Sequence, residues 1–196
     1  MSIKDKEKWD AKYIKKPILL KPRDSSENLK NFITTCNGKK ALDLACGAGK
    51  NTIFLAKNGF EVDAVDIAKI ALDTLDNYAT EIGLSTSINT LLVDLDDFTP
   101  KADTYDLVLM ANYLDRDVIN RAKTALHVGG IFIVETYMQD EENEKTKSNP
   151  INLLAPNELK EIFSSFEIIH YDEFKNEDYE IYKMKKQVIV AKKILF

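Results

Sequence analysis

The chain has 196 residues, 44% of them hydrophobic and 30% charged, with a net charge of −5. That length supports one domain with a sizeable core, and the composition excludes a disordered or fibrous chain. A surface of this sign repels phosphate backbones, so nucleic acid is not the expected partner.

The opening, MSIKDKEKWD, is too charged for a signal peptide, and no apolar run reaches the length of a membrane span. Cys36 and Cys46 form no CxxC pair and join no His/Cys cluster, so no metal site is expected. A reducing, cytoplasmic setting with no membrane partner is the expectation.

In chain order, two helical stretches come first, at about residues 4–14 and 25–36, placed to cap one end of a sheet. A strand over 40–45 (KALDLA) is followed by a helix over 50–59, which Asn58-Gly59 stops. A second strand, 61–66, leads into a helix over 68–83, with Ile70, Ala71, Leu75 and Tyr78 at helical spacing. Strands follow at 88–95 and 105–112, then a helix over 116–130 closed by Gly129-Gly130, then a fifth strand at 131–137. Residues 138–150 form a polar excursion, and 157–165 a short helix behind Pro156. The last two strands, 166–174 and 187–196, have no convincing helix between them and read as an antiparallel hairpin at the sheet edge. Lys183, Lys185, Lys186, Lys192 and Lys193 alternate there with apolar residues, as on the wet face of an edge strand. His127 at a helix end and His170 in an edge strand stand apart from one another.

The sum is an α/β chain: a doubly wound, mostly parallel sheet of seven strands, with an antiparallel edge hairpin and N-terminal cap helices. In such sheets ligands bind beyond the carboxyl ends of the strands. That selects residues 43–49, 66–67, 94–95, 111–113 and 135–137.

Gly47 and Gly49 fall between the first strand and the next helix, where bare backbone permits a sharp bend and close ligand approach. As a dinucleotide fingerprint the pattern is incomplete, since Thr52 occupies the third glycine position. A P-loop is excluded more firmly, because Gly49-Lys50 is followed by Asn51 and no glycine stands at 44.

Taken whole, Asp43 to Gly49 (D-x-A-C-G-x-G), Asp66 ending the second strand and Asp94-Leu95 ending the third resemble class I S-adenosylmethionine-dependent methyltransferases. The stretches NYLDRDVINRAKTALHVGGIFIVETY and SNPINLLAPNEL are similar to small bacterial members of the tellurite-resistance and thiopurine types. The chain departs from the commoner PGG before the fifth strand, having His127-Val128-Gly129-Gly130. The resemblance implies a Rossmann-like methyltransferase fold over a single domain, 1–196. Residues 1–38 would be its cap, 39–137 the cofactor-binding core, and 138–196 the acceptor-side loop, helix and hairpin.

It also implies roles. Asp66 would accept from both ribose hydroxyls of S-adenosylmethionine, with Ile67 against the adenine. Asp94 would accept from the adenine amino group and Leu95 offer its backbone. Gly47, Gly49 and Cys46 would form the turn, Asp43 would lie near the methionyl part, and the Ala45 carbonyl would take its amino group. Ala111 and Asn112 would close the pocket near the methyl, and Trp9 and Tyr13, one helical turn apart, would fold over the cofactor. Arg23 is a candidate for the ligand carboxylate. Among Tyr113, Asp115, Glu135 and Tyr137, Tyr113 and Glu135 are the expected catalytic or acceptor contacts. Residues 138–155 would cover a small-molecule acceptor, with Asn149, Pro150 and Asn152 nearest. The molecule is expected as a monomer or homodimer. Two alternatives stay open: a protein that binds S-adenosylmethionine without turnover, and an NAD-dependent oxidoreductase.

Overall fold

A computed structural model describes residues 3–145, 149–176 and 182–195. Its strands are β1 (Lys40–Leu44), β2 (Glu61–Asp66), β3 (Ile88–Leu92), β4 (Tyr105–Ala111), β5 (Leu126–Tyr137), β6 (Glu167–Lys175) and β7 (Lys185–Lys192). Its α-helices are α1 (Ile3–Lys15), α2 (Glu27–Phe32), α3 (Lys50–Lys57), α4 (Lys69–Glu81), α5 (Arg116–Ala122) and α6 (Glu158–Ile162). The strands form one sheet in the order β3-β2-β1-β4-β5-β7-β6. β1 to β5 are parallel, and β7 runs antiparallel to both β5 and β6. The strand order reverses between β1 and β4, which opens a crevice above their carboxyl ends.

Period-two alternation sorts the central strands onto two layers. In β4, Leu107 and Leu109 pack with Leu29 of α2 and Leu55 of α3, while Val108 and Met110 pack with α5 and α6 through Val118, Ile119, Leu159 and Phe163. All ten side chains are 4% exposed or less, and each contributes about 1.5–3 kcal/mol by leaving water. Helices on both faces are what the parallel crossovers require.

Several expectations are corrected. The predicted helix over 116–130 ends at Ala122 with a 3-10 turn at Lys123–Ala125, and Leu126 to Gly130 belong to β5. The amides of Asp103 and Thr104 take the carbonyls of Thr124 and Ala125, which stops the helix there. Gly129-Gly130 is therefore a bulge and not a helix stop, with Gly129 at φ 85 donating to the Lys193 carbonyl. His127 accordingly sits in a strand.

β3 ends at Leu92, so Asp94-Leu95 lie just past the strand. Of the two N-terminal helices, α1 lies over α4 through Tyr13, Ala68 and Ala71, as a cap should. The second predicted helix is shorter, ending as a 3-10 turn at Ile33–Thr35, and it lays Leu29 and Ile33 on the sheet face instead. β7 lies inside the sheet and β6 forms the edge, so Lys186 is buried, not on a wet face. His170 in β6 stacks on Phe32 with ring centroids 4.8 Å apart. Part of the polar excursion, 146–148, lies outside the described residues, as does Phe196 at the end of the last predicted strand. Among the described residues no helix is long and apolar enough to cross a membrane.

Candidate active site

β1 hands the chain to α3 through a turn with three left-handed residues, Ala45 at φ 56, Gly47 at φ 56 and Gly49 at φ 78. The Cys46 amide donates to the Val65 carbonyl at 3.1 Å, and the Gly49 amide to the Cys46 carbonyl at 3.0 Å. Gly47 lies directly under the Tyr13 hydroxyl: a Cβ added there would stand 2.8 Å from that oxygen. Gly49 is as tightly enclosed, with Leu75 2.3 Å from an added Cβ. Ala45 carries a Cβ in a conformation that favours glycine, a strain of the sort that collects at functional turns. Ala45→Gly is expected to stabilise the chain by about 0.5–1 kcal/mol in urea unfolding. An unchanged or lower midpoint would show that the turn holds no such strain.

Asp43 is 1% exposed at the end of β1, and the Thr52 hydroxyl donates to it at 2.6 Å. Thr52 thus takes the position of a third fingerprint glycine and supplies the partner that a buried acid needs. Burial, reinforced by the nearby Asp66, pushes the Asp43 carboxyl up to about 7. A folded-state value above the unfolded one means that the folded chain binds the extra proton. Its contribution is therefore full below about pH 4 and is lost as pH rises to about 7, by up to about 1.4 kcal/mol per pH unit. The difference in unfolding free energy between wild type and Asp43→Asn should follow that slope over this window. A difference independent of pH would refute it. Cys46 lies beside both acids, and burial first, then Asp43 and Asp66, holds its thiol well above the usual range, unsuited to nucleophilic work.

Asp66 ends β2 and splits its carboxylate between two amides, Gly47 at 2.7 Å and Ala68 at 2.8 Å. It fastens the glycine turn to the start of α4. Burial nonetheless raises its pKa, the amides of Ala68 and Gly47 opposing that shift. Ile67 beside it is buried. Asp10 of α1 is close enough to act on Asp66 and Tyr13, and its Oδ1 is buried without a hydrogen-bond partner. Tyr13 is buried, so burial and then Asp66 hold its hydroxyl protonated. Trp9 lies 6.2 Å from the Tyr13 ring, with the Lys12 ammonium 3.8 Å over its own centroid. Burial, then Lys145, Lys16 and Lys8, lowers Lys12 to about 8. Lys145 belongs to the excursion after β5, so that excursion comes near enough to α1 to act on Lys12.

Asp94 Oδ1 accepts from the Asp96 amide at 3.0 Å, and the buried Leu95 gives its carbonyl to Arg121 at 2.7 Å. At the end of β4, Asn112 is left-handed at φ 58, and its amide donates to the Glu135 carbonyl at 2.8 Å. Ala111 and Tyr113 flank it, half-buried. These residues gather at one end of the sheet, as the sequence predicted.

Glu135 does not lie open to this crevice. It is 2% exposed, accepts from Ser26 Oγ at 2.5 Å and Asn28 Nδ2 at 3.0 Å, and stands 3.5 Å from the Lys186 ammonium. Ser26 caps α2, and its amide donates to Asn51 Oδ1 at 3.0 Å. The segment entering α2 is thus tied to α3 and β5 at once. Sequence reasoning missed Ser26, Asn51 and Lys186. The readable signal was Ser26 before Glu27 and the helically spaced Leu29, Phe32 and Ile33, a helix N-cap pattern.

Arg116 was missed as well. Its guanidinium makes a bidentate pair with Glu158, at 2.5 and 3.0 Å. It also donates to the carbonyls of Ile151 at 2.7 Å and Leu153 at 3.1 Å. This holds the segment with Asn149, Pro150 and Asn152 against α5.

A family model for tellurite resistance protein TehB matches residues 1–192. The chain belongs to the TehB family. A TehB relative from Haemophilus influenzae, described as a probable S-adenosyl-L-methionine-dependent methyltransferase, is 27% identical over 146 residues, 68% of this chain and 48% of the relative. A ubiquinone biosynthesis O-methyltransferase from Coxiella burnetii is 32% identical over 81 residues, 41% of this chain and 34% of that protein. The crystal structure of TehB from Haemophilus influenzae superposes with a TM-score of 0.76 at 24% identity, over 86% of this chain and 62% of that one. It shares the fold. The chain spans about half the length of the TehB relative it matches.

Proposed function

We propose that this chain binds S-adenosylmethionine at the carboxyl ends of β1, β2 and β4 and transfers its methyl group to a small-molecule acceptor. The observation that carries this reading is the acid-lined glycine turn. Asp10, Asp43 and Asp66 surround it, and Asp10 Oδ1 lacks a donor. A ligand bearing positive charge and hydroxyl donors suits that set. The curated TehB relative supports the same cofactor.

When bound, S-adenosylmethionine supplies a methyl on a cationic sulfur that is already an excellent leaving group. The chain's residues then have to hold, orient and exclude water. Asp66 would take the ribose hydroxyls on lone pairs that its two amide bonds leave free. Ile67, Asp94 and Leu95 would hold the adenine, and Cys46, Gly47, Gly49, Asp43 and the Ala45 carbonyl the methionyl part. Trp9 and the protonated Tyr13 would cover it. Ala111, Asn112 and Tyr113 would face the acceptor, with Glu135 acting by position.

The single domain, 1–196, would divide into cap, cofactor core and acceptor side as the motifs suggest. Its partner would be the small acceptor and not nucleic acid or membrane, with the protein a cytoplasmic monomer or homodimer. Binding without turnover is the second reading, favoured by the engagement of Glu135 with Ser26, Asn28 and Lys186. An NAD oxidoreductase fits less well, because Thr52 is bonded to Asp43 where the fingerprint wants glycine.

Thermal unfolding with S-adenosylhomocysteine, S-adenosylmethionine and NAD tests the cofactor. A ligand at about 100 times its Kd stabilises by about 2.7 kcal/mol, a shift of several degrees. A shift with the adenosyl ligands alone supports the proposal, and a shift with NAD alone overturns it. Tight binding without turnover across thiols, halides, oxyanions and carboxylates would favour the second reading.

A further inference from the structure

A groove of about 410 Å³ lies between α3, α4 and the connection that precedes α2, against the glycine turn. Of the residues named above for the cofactor, Gly49 and the carboxylate candidate Arg23 line it. Asp66, Asp94 and Asn112 do not.

Four cations line this groove against one acid, Asp24. Lys21 and Arg23 come from the connection, Lys50 and Lys57 from α3. Lys50 and Lys57 are two helical turns apart and share one side, spanning about 10 Å. Such a local excess of positive charge is out of keeping with a chain of net charge −5. The first turn of α3 adds to it, with no acidic residue and no side-chain cap. The Ile53 and Tyr78 side chains give the groove an apolar wall.

We propose that this groove binds a small organic polyanion, phosphorylated or polycarboxylated, as a site separate from the cofactor crevice. Cations from two segments would engage its charged groups, and the Ile53–Tyr78 wall its carbon skeleton.

The test titrates pyrophosphate and citrate into the full chain at constant ionic strength, with and without saturating S-adenosylhomocysteine, by calorimetry and thermal unfolding. The arms without S-adenosylhomocysteine keep the outcome readable even if the methyltransferase reading fails. Saturable one-to-one binding is expected, persisting in the presence of S-adenosylhomocysteine, and the stronger of the two anions identifies the chemical class. Lys21→Gln combined with Lys57→Gln should weaken it about tenfold or more, with S-adenosylhomocysteine affinity within about twofold of wild type. Three results overturn the proposal. They are no saturable binding of either anion, equal binding by the double variant, and full competition by S-adenosylhomocysteine, which would make the groove the carboxylate end of the cofactor site.

Discussion

Asp66→Ala is expected to weaken S-adenosylhomocysteine binding at least about 100-fold, equivalent to about 2.7 kcal/mol. The carboxylate organises the turn through two amides, at 2.7 and 2.8 Å, and each charge-assisted bond of this kind contributes about 1.5–3 kcal/mol. Removing it frees the Gly47 amide and the start of α4 together, besides deleting the proposed ribose contact. The melting temperature without ligand should fall much less than the affinity does. Burial disfavours the charged form of Asp66 and so offsets part of what its two amide bonds contribute to folding. Asp66→Asn keeps one acceptor oxygen and should fall between. Wild-type affinity in Asp66→Ala, measured by calorimetry, would remove this residue from the cofactor site.

The second large effect belongs to Glu135, and it is on stability. Glu135→Ala takes the carboxylate away from Lys186, whose side chain is 1% exposed, and unties Ser26 and Asn28. Breaking one side of a buried pair costs about 3–5 kcal/mol, because the remaining charge stays in a poor solvent. Urea unfolding should show that loss. The paired replacement Glu135→Gln with Lys186→Met should recover most of it, since Gln still accepts from Ser26 and the buried charge is gone. A single variant as stable as wild type would mean that Lys186 escapes to water. Methyl transfer by the paired variant then separates roles: wild-type turnover leaves Glu135 a positioning group, and loss of turnover in a stable protein assigns it to the chemistry.

The strand–helix rhythm was legible because the central strands are buried on both faces and read as continuous apolar runs, as in KALDLA and YDLVLMAN. The glycine turn was legible because glycines, acids and strand ends fall in one order. The errors share a cause. The helix over 116–130 was drawn too long because its end is set by the amides of Asp103 and Thr104, which lie far away in sequence. Lys186 looked solvated because alternation does not say which strand is the edge. Glu135 was visible as an acid at a strand end, but its partners come from about residue 26 and residue 186, and no local spacing connects them. Arg116 was hidden in the same way, since all four of its bonds depend on the conformation of residues 151–158.

The excursion after β5 is stitched at its base. The Leu154 amide donates to the Tyr137 carbonyl at 3.0 Å and the Gln139 amide to the Leu154 carbonyl at 2.8 Å, while Arg116 grips the exit. Entry and exit are therefore neighbours whatever the chain does between them. Lengthening such a closed loop is cheap, about 0.6 kcal/mol for each doubling. Exposed side chains between Gln139 and Leu153 can be exchanged while this base holds, but not Asn143, whose buried amide bridges the Met138 carbonyl and the Lys185 amide at the start of β7. On the proposed function, a lineage built on this frame would be free to change its acceptor faster than the way it holds the methyl donor.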